Sequence, residues 1–157
     1  MNPDPFALRS TRLAAMHARL AKHFDDFCRR AKVILDEGTV PGVKYVATSA
    51  DRRGFEVVCA DVHLRFDFEA SAINGLPSAK LVVRRAQLAE DLRTLWPRLY
   101  EVPFDVYGHV TDEAGEASGD IAIGDAGSGD FQVLLSVIGG ALSGKASPEW
   151  NPPTTEP

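Results

Sequence analysis

Residues 6–37 read FALRSTRLAAMHARLAKHFDDFCRRAKVILDE, and the spacing of apolar side chains in this run decides the fold. Leu13, His17, Leu20, Phe24, Phe27, Ala31 and Ile34 recur at alternating steps of four and three, which places all seven on one face of a helix. Arg12, Arg19, Lys22, Asp26, Arg29 and Arg30 fall elsewhere on the same wheel. With a rise of about 1.5 Å per residue, a helix over most of this run is about 40 to 50 Å long. A stripe of that length needs a surface to lie on, supplied either by a sheet of the same chain or by a second copy. Asp4-Pro5 offers an N-cap acceptor followed by proline at the first helical position, with Ser10 as a rival start. Gly38 and Pro41-Gly42 end the helix. Arg9 and Arg12 near the start and Asp36-Glu37 at the end oppose the helix dipole, so packing of the stripe must stabilise the helix.

After Gly42 the period changes from 3.6 to 2. Val43–Thr48, Phe55–Ala60, Val62–Glu69, Lys80–Arg85, Val102–Thr111 and Gly119–Ile123 read as strands. In Val62–Glu69 the apolar side chains Val62, Leu64, Phe66 and Phe68 alternate with His63, Arg65, Asp67 and Glu69, giving one buried and one wet face. The apolar parity flips near Ala60-Asp61, which implies a bulge or a tight turn there. Asn74-Gly75 marks a reversal. Gln87–Leu95 reads as a short helix stopped by Trp96-Pro97. Phe131–Leu142 fits a helix by Phe131, Leu134, Leu135, Ile138 and Leu142, while Val133, Val137 and Ile138 favour strand and Gly139-Gly140 weakens the helix; helix is the reading adopted. From Ser143 the composition turns to proline and polar residues, as in a disordered tail.

The expected architecture is α+β. A long N-terminal helix packs on a curved antiparallel sheet of five or six strands, with a short middle helix and a C-terminal helix. Residues 1–142 form one domain and 143–157 the tail. Short connections require antiparallel order.

Charge is unevenly distributed. Residues 1–100 hold 16 basic against 12 acidic side chains, and residues 101–157 hold Lys145 alone against ten acidic ones. An acidic surface in the C-terminal third is therefore expected, open to a basic partner or to the molecule's own basic half. Cys28 and Cys59 make no disulfide framework and read as small core residues. With no signal-peptide pattern and no apolar run long enough to span a bilayer, the expected setting is the reducing cytoplasm, without membrane contact.

Few motifs carry chemistry. Gly139–Ala146 approaches the P-loop pattern, but Ala146 replaces the hydroxyl that binds magnesium and no sheet follows. Asp120, Asp125 and Asp130 lack the alternate oxygens and closing glutamate of a calcium loop, so no metal and no cofactor is expected. The arginine pairs 29–30, 52–53 and 84–85 form a basic patch only if the sheet joins two turns, and the net charge of −5 argues against nucleic acid. His17 sits in the helix stripe, and His23 reads as an ordinary surface residue. One constellation stands out: His63, Asp67, Tyr107 and His109 lie on the wet faces of two strands. Were those strands neighbours, they would supply a general base with its orienting partner, or a two-histidine, one-carboxylate metal site. Polar residues also alternate outward on any half-exposed strand.

Two functional classes fit. The first is a non-catalytic protein-interaction module, a homodimer that binds another protein through the seam of Leu13, His17, Leu20, Phe24, Phe27 and Ile34. The element order helix, three strands, helix, two strands, helix resembles that of small acidic secretion chaperones of bacteria. The resemblance covers element order and no motif, and it implies a dimeric chaperone- or adaptor-like protein with an acidic binding surface. The second class is a small-ligand or enzyme pocket built around His63, Asp67, Tyr107 and His109.

Overall fold

The computed structural model of the chain describes residues 4–48, 52–112, 115–124 and 129–148. Helix α1 runs from Pro5 to Asp36 and starts at the earlier of the two possible sites: Asp4 accepts a hydrogen bond from the Phe6 N–H at 3.0 Å, and proline follows it. Its end is closed by Glu37 and by Gly38 at φ +71°.

Seven strands then form one antiparallel sheet, β1 (Val43–Ala47), β2 (Gly54–Cys59), β3 (Val62–Ile73), β4 (Leu76–Arg85), β7 (Arg98–Phe104), β8 (His109–Thr111) and β9 (Ala117–Ala122), in the spatial order of the chain. The parity flip at Ala60-Asp61 is a two-residue turn: Cys59 and Val62 are paired and Ala60 has φ +50°. Asn74 and Gly75 both take positive φ between the paired Ile73 and Leu76, as the hairpin turn of matching twist requires.

Two expectations are corrected. The strand read over Val102–Thr111 is two strands, β7 and β8, so the sheet has seven members instead of five or six. Asp105 breaks it: its Oδ1 accepts from the N–H groups of Tyr107 (2.9 Å) and His109 (3.0 Å), and Gly108 completes the turn at φ +82°. The middle helix over Gln87–Leu95 is also absent. These residues form a small hairpin, β5 (Gln87–Leu88) with β6 (Thr94–Leu95), closed by Leu92 at φ +67°. Leu88, Leu92 and Leu95 have helical spacing but remain exposed, and nine residues without a surface to pack on do not sustain a helix. The element order on which the chaperone resemblance rests therefore loses its central helix.

Helix α2 (Gly129–Leu142) forms as expected, with Gly139 and Gly140 inside it. Gly140 has a packing reason: a Cβ there would meet the Tyr100 hydroxyl at 2.9 Å. Residues 143–145 are ordered by the helix end, since Lys145 N–H donates to Gly140 O (2.9 Å) and the Tyr100 hydroxyl donates to Lys145 O (2.8 Å). The rest of the expected tail, 149–157, lies outside the described residues.

Both helices contribute to one core on one face of the sheet. Leu20, Phe24, Phe27, Ala31 and Leu35 of α1 lie over a row in which Phe55, Phe66, Val83 and Tyr100 stand opposite one another across four strands. The Phe27 ring lies 5.9 Å from Phe55 and 6.4 Å from Phe66, which themselves stack at 4.6 Å. Each such side chain contributes about 2 to 3 kcal/mol by leaving water. The opposite face bears the charged residues, paired in rows: Glu56 with Arg65, Asp67 with Arg84, and Glu69 and Glu101 with Arg98.

Candidate interaction surface

The four residues of the presumed strand-face pocket are not brought together. His63 and Asp67 are on β3, whereas Tyr107 and His109 flank the β7–β8 turn, and β4 and β7 lie between. Three strand spacings amount to about 14 Å, and His63 also sits at the opposite end of the strands from His109, with Asp67 mid-strand. Each has local partners instead. His63 Nε2 is 3.2 Å from the Glu56 carboxylate, and its ring meets Trp96 edge-on at 4.9 Å. Asp67 holds Arg84 (3.1 Å) and Arg52 (3.6 Å). His109 lies 3.7 Å from Asp105 beside an exposed Tyr107. Among the described residues no three His, Cys, Asp or Glu side chains are grouped so as to hold a metal ion.

The sheet does join arginine-bearing turns. Arg52, Arg53, Arg65 and Arg84 surround a depression of about 480 Å³ with Trp96, and Arg65 lies over the indole at 3.8 Å. A carboxylate neighbours every one of these arginines: Asp67 for Arg52 and Arg84, Asp25 for Arg53 (3.0 Å) and Glu56 for Arg65 (3.4 Å). Their charge is engaged in holding the turn before β2 to α1 and to the sheet, and Trp96 to the sheet.

Sequence reasoning missed two polar anchors. His23, read as a surface residue, is half-buried: its Nε2 donates to Val106 O at 2.9 Å. Gly124, at φ +72°, approaches it so closely that a Cβ would meet the His23 backbone at 2.8 Å. Asp130, considered above only with Asp120 and Asp125 as a calcium loop, is buried. It lies 3.1 Å from Arg30 Nε and accepts from Gly124 N–H at 2.6 Å, tying α1 to α2. Both contacts join residues far apart in sequence, and no local pattern announces them.

The interaction seam divides in two. Leu20, Phe24 and Phe27 are wholly covered by the chain's own sheet, so they serve the core and are not free for another molecule. Ile34 is half-buried at the margin. The N-terminal part behaves differently: from Pro5 to Arg19 only Leu13 and Met16 are half-buried, and every other residue, His17 included, is exposed. Phe6 is 79% and Leu8 54% exposed. About four turns, some 22 Å of helix, are thus largely exposed. Where α1 passes the end of the sheet, Met16 borders an apolar groove of about 320 Å³ with Ile73, Leu76, Pro77, Val106 and Tyr107. Asp105 and Glu116 line its rim. Further acidic residues expected on this surface, Glu113, Asp125, Glu149 and Glu156, lie outside the described residues.

Among the described residues no helix is long and apolar enough to cross a membrane. Comparison with protein-family models, curated proteins and solved structures yields no match to this chain.

Proposed function

We propose that the chain is a non-catalytic protein-interaction module that presents the N-terminal half of α1, and the groove beside it, to another polypeptide. The observation that carries this reading is the exposure of Phe6 and Leu8 on the first turns of α1, which no other described residue covers. An isolated helix of this length is marginal in water, and its apolar side chains gain most when a partner removes them from it. The scattered placement of His63, Asp67, Tyr107 and His109 removes the geometric support for a shared catalytic pocket.

Site-specific photo-crosslinking in cells tests the reading. A photoreactive amino acid in place of Leu8 in the full chain is expected to give a discrete protein adduct, while the same group in place of Lys44, on the β1 edge, gives none. Absence of an adduct from position 8, or equal adducts from both positions, would overturn the proposal.

A further inference from the structure

We infer that the polypeptide received by the groove is the α1 amino-terminal half of a second copy of this chain, so that two molecules exchange helices reciprocally. The inference rests on the interaction-module reading and names its partner.

Three observations lead to it. The first is charge. From Pro5 to Phe24 the helix carries Arg9, Arg12, Arg19 and Lys22 and no acidic residue. The groove has the opposite character: Asp105 and Glu116 stand on its rim, and among the described residues no basic side chain lines it. A basic amphipathic helix and an acidic apolar groove on one chain are complementary to each other, which is the condition for an isologous pair.

The second observation is geometric. Met16 borders the groove from within α1, and the helix continues unbroken to Pro5. A continuous helix cannot turn back into a groove that it is already leaving, so Leu8, Arg9 and Arg12, which share one side of the helix, cannot satisfy their own molecule's groove. Only another copy can bring them there. One pairing of this kind already exists within the chain, where the Arg19 guanidinium lies 5.6 Å from the centre of the Tyr107 ring.

The third is area. A stable interface buries about 800 Å² per partner, more than one face of a four-turn helix supplies. Reciprocal exchange makes each molecule both donor and acceptor and doubles the contact. A single helix docking from an unrelated partner gains no such doubling.

Sedimentation of the full-length protein, up to about 100 µM, tests this. A dimer is expected at about 50 mM salt, with a dissociation constant at least about tenfold weaker at about 500 mM. Leu8→Asp is expected to give a monomer with an unchanged circular dichroism spectrum. Arg9→Glu/Arg12→Glu is expected to do the same, and so is Glu116→Arg. Mixing the two charge variants should restore a heterodimer, because each then offers the sign the other lacks. Simple misfolding would not produce that rescue.

A wild-type monomer at every concentration overturns the second-copy assignment, as does a dimer indifferent to these substitutions. The two proposals fail separately. An adduct from position 8 to a different polypeptide, together with a monomer in sedimentation, leaves the interaction module standing and removes the second copy. No adduct of any kind removes both.

Discussion

A carboxylate in a protein interior loses several kcal/mol of hydration unless charge and hydrogen bonds replace the water. Asp130 meets that requirement with the Arg30 guanidinium and the Gly124 N–H. Asp130→Ala is expected to lower the unfolding free energy by about 3 kcal/mol in urea titration, since it leaves a buried N–H unpaired. Arg30→Ala, which takes away the positive charge beside the buried acid, should cost at least as much; a loss under about 0.5 kcal/mol would show that the pair is ornamental. Cys28 gives a second prediction. Burial, reinforced by the Asp25 carboxylate, raises its thiol from 9.0 to about 12. At pH 8 the folded protein then holds about a thousandfold less thiolate than an ordinary cysteine, so alkylation of Cys28 should be slow until the protein unfolds. The folded state keeps this proton up to about pH 12 while the unfolded chain releases it near 9.0, so stability is retained below pH 9 and declines as pH rises through that window. Cys28→Ala should flatten the decline when urea midpoints are measured between about pH 8 and pH 11.

The two halves of α1 have the same propensity and different fates. From Leu20 onward the apolar face is covered by Phe55, Phe66 and their neighbours, whereas before it only Leu13 and Met16 are half-buried and the other side chains meet solvent. Phe27→Ala should therefore cost about 3 to 5 kcal/mol through a cavity in the core, and Leu8→Asp less than about 0.5 kcal/mol in the dissociated protein. Urea unfolding of both variants at low protein concentration checks the contrast, and equal losses would refute the division. The stripe itself was legible from spacing, as were the N-cap at Asp4 and the hairpin at Asn74-Gly75, because each is a local pattern with a local cause. Its division into a core half and a free half was not, since periodicity says which residues share a face and nothing about how far the opposing sheet extends. Leu88, Leu92 and Leu95 show the same limit: helical spacing over nine residues forms no helix without a surface to meet. In Val102–Thr111 the alternation continued through Asp105, and only that carboxylate's hydrogen bonds to two N–H groups reveal the turn.

Across the whole molecule, one sheet face is apolar and carries both helices, and the other is a lattice of paired charges. The first was readable from alternation along β3, and the second from the polar partners of that alternation. Strand order was not readable, and with it went the pocket: His63 and His109 were compatible with one site until β4 and β7 came between them. The charge asymmetry between the two parts of the sequence becomes spatial where the basic end of α1 passes the acidic rim beside Tyr107.

The tie between Arg30 and Asp130 also sets an order in time. A chain leaves the ribosome amino end first, at about 5 to 20 residues per second, and its early segments begin to organise while the rest is still being made. Arg30 emerges with α1, a hundred residues ahead of Asp130, the buried acid it pairs with, and the hairpins of β1 to β4 can form beneath Leu20, Phe24 and Phe27 in the interval. Val133, Leu134, Val137 and Ile138 follow every strand of the sheet. Until they arrive, the far end of the sheet stays uncovered, so the interior is completed only after all seven strands have been made.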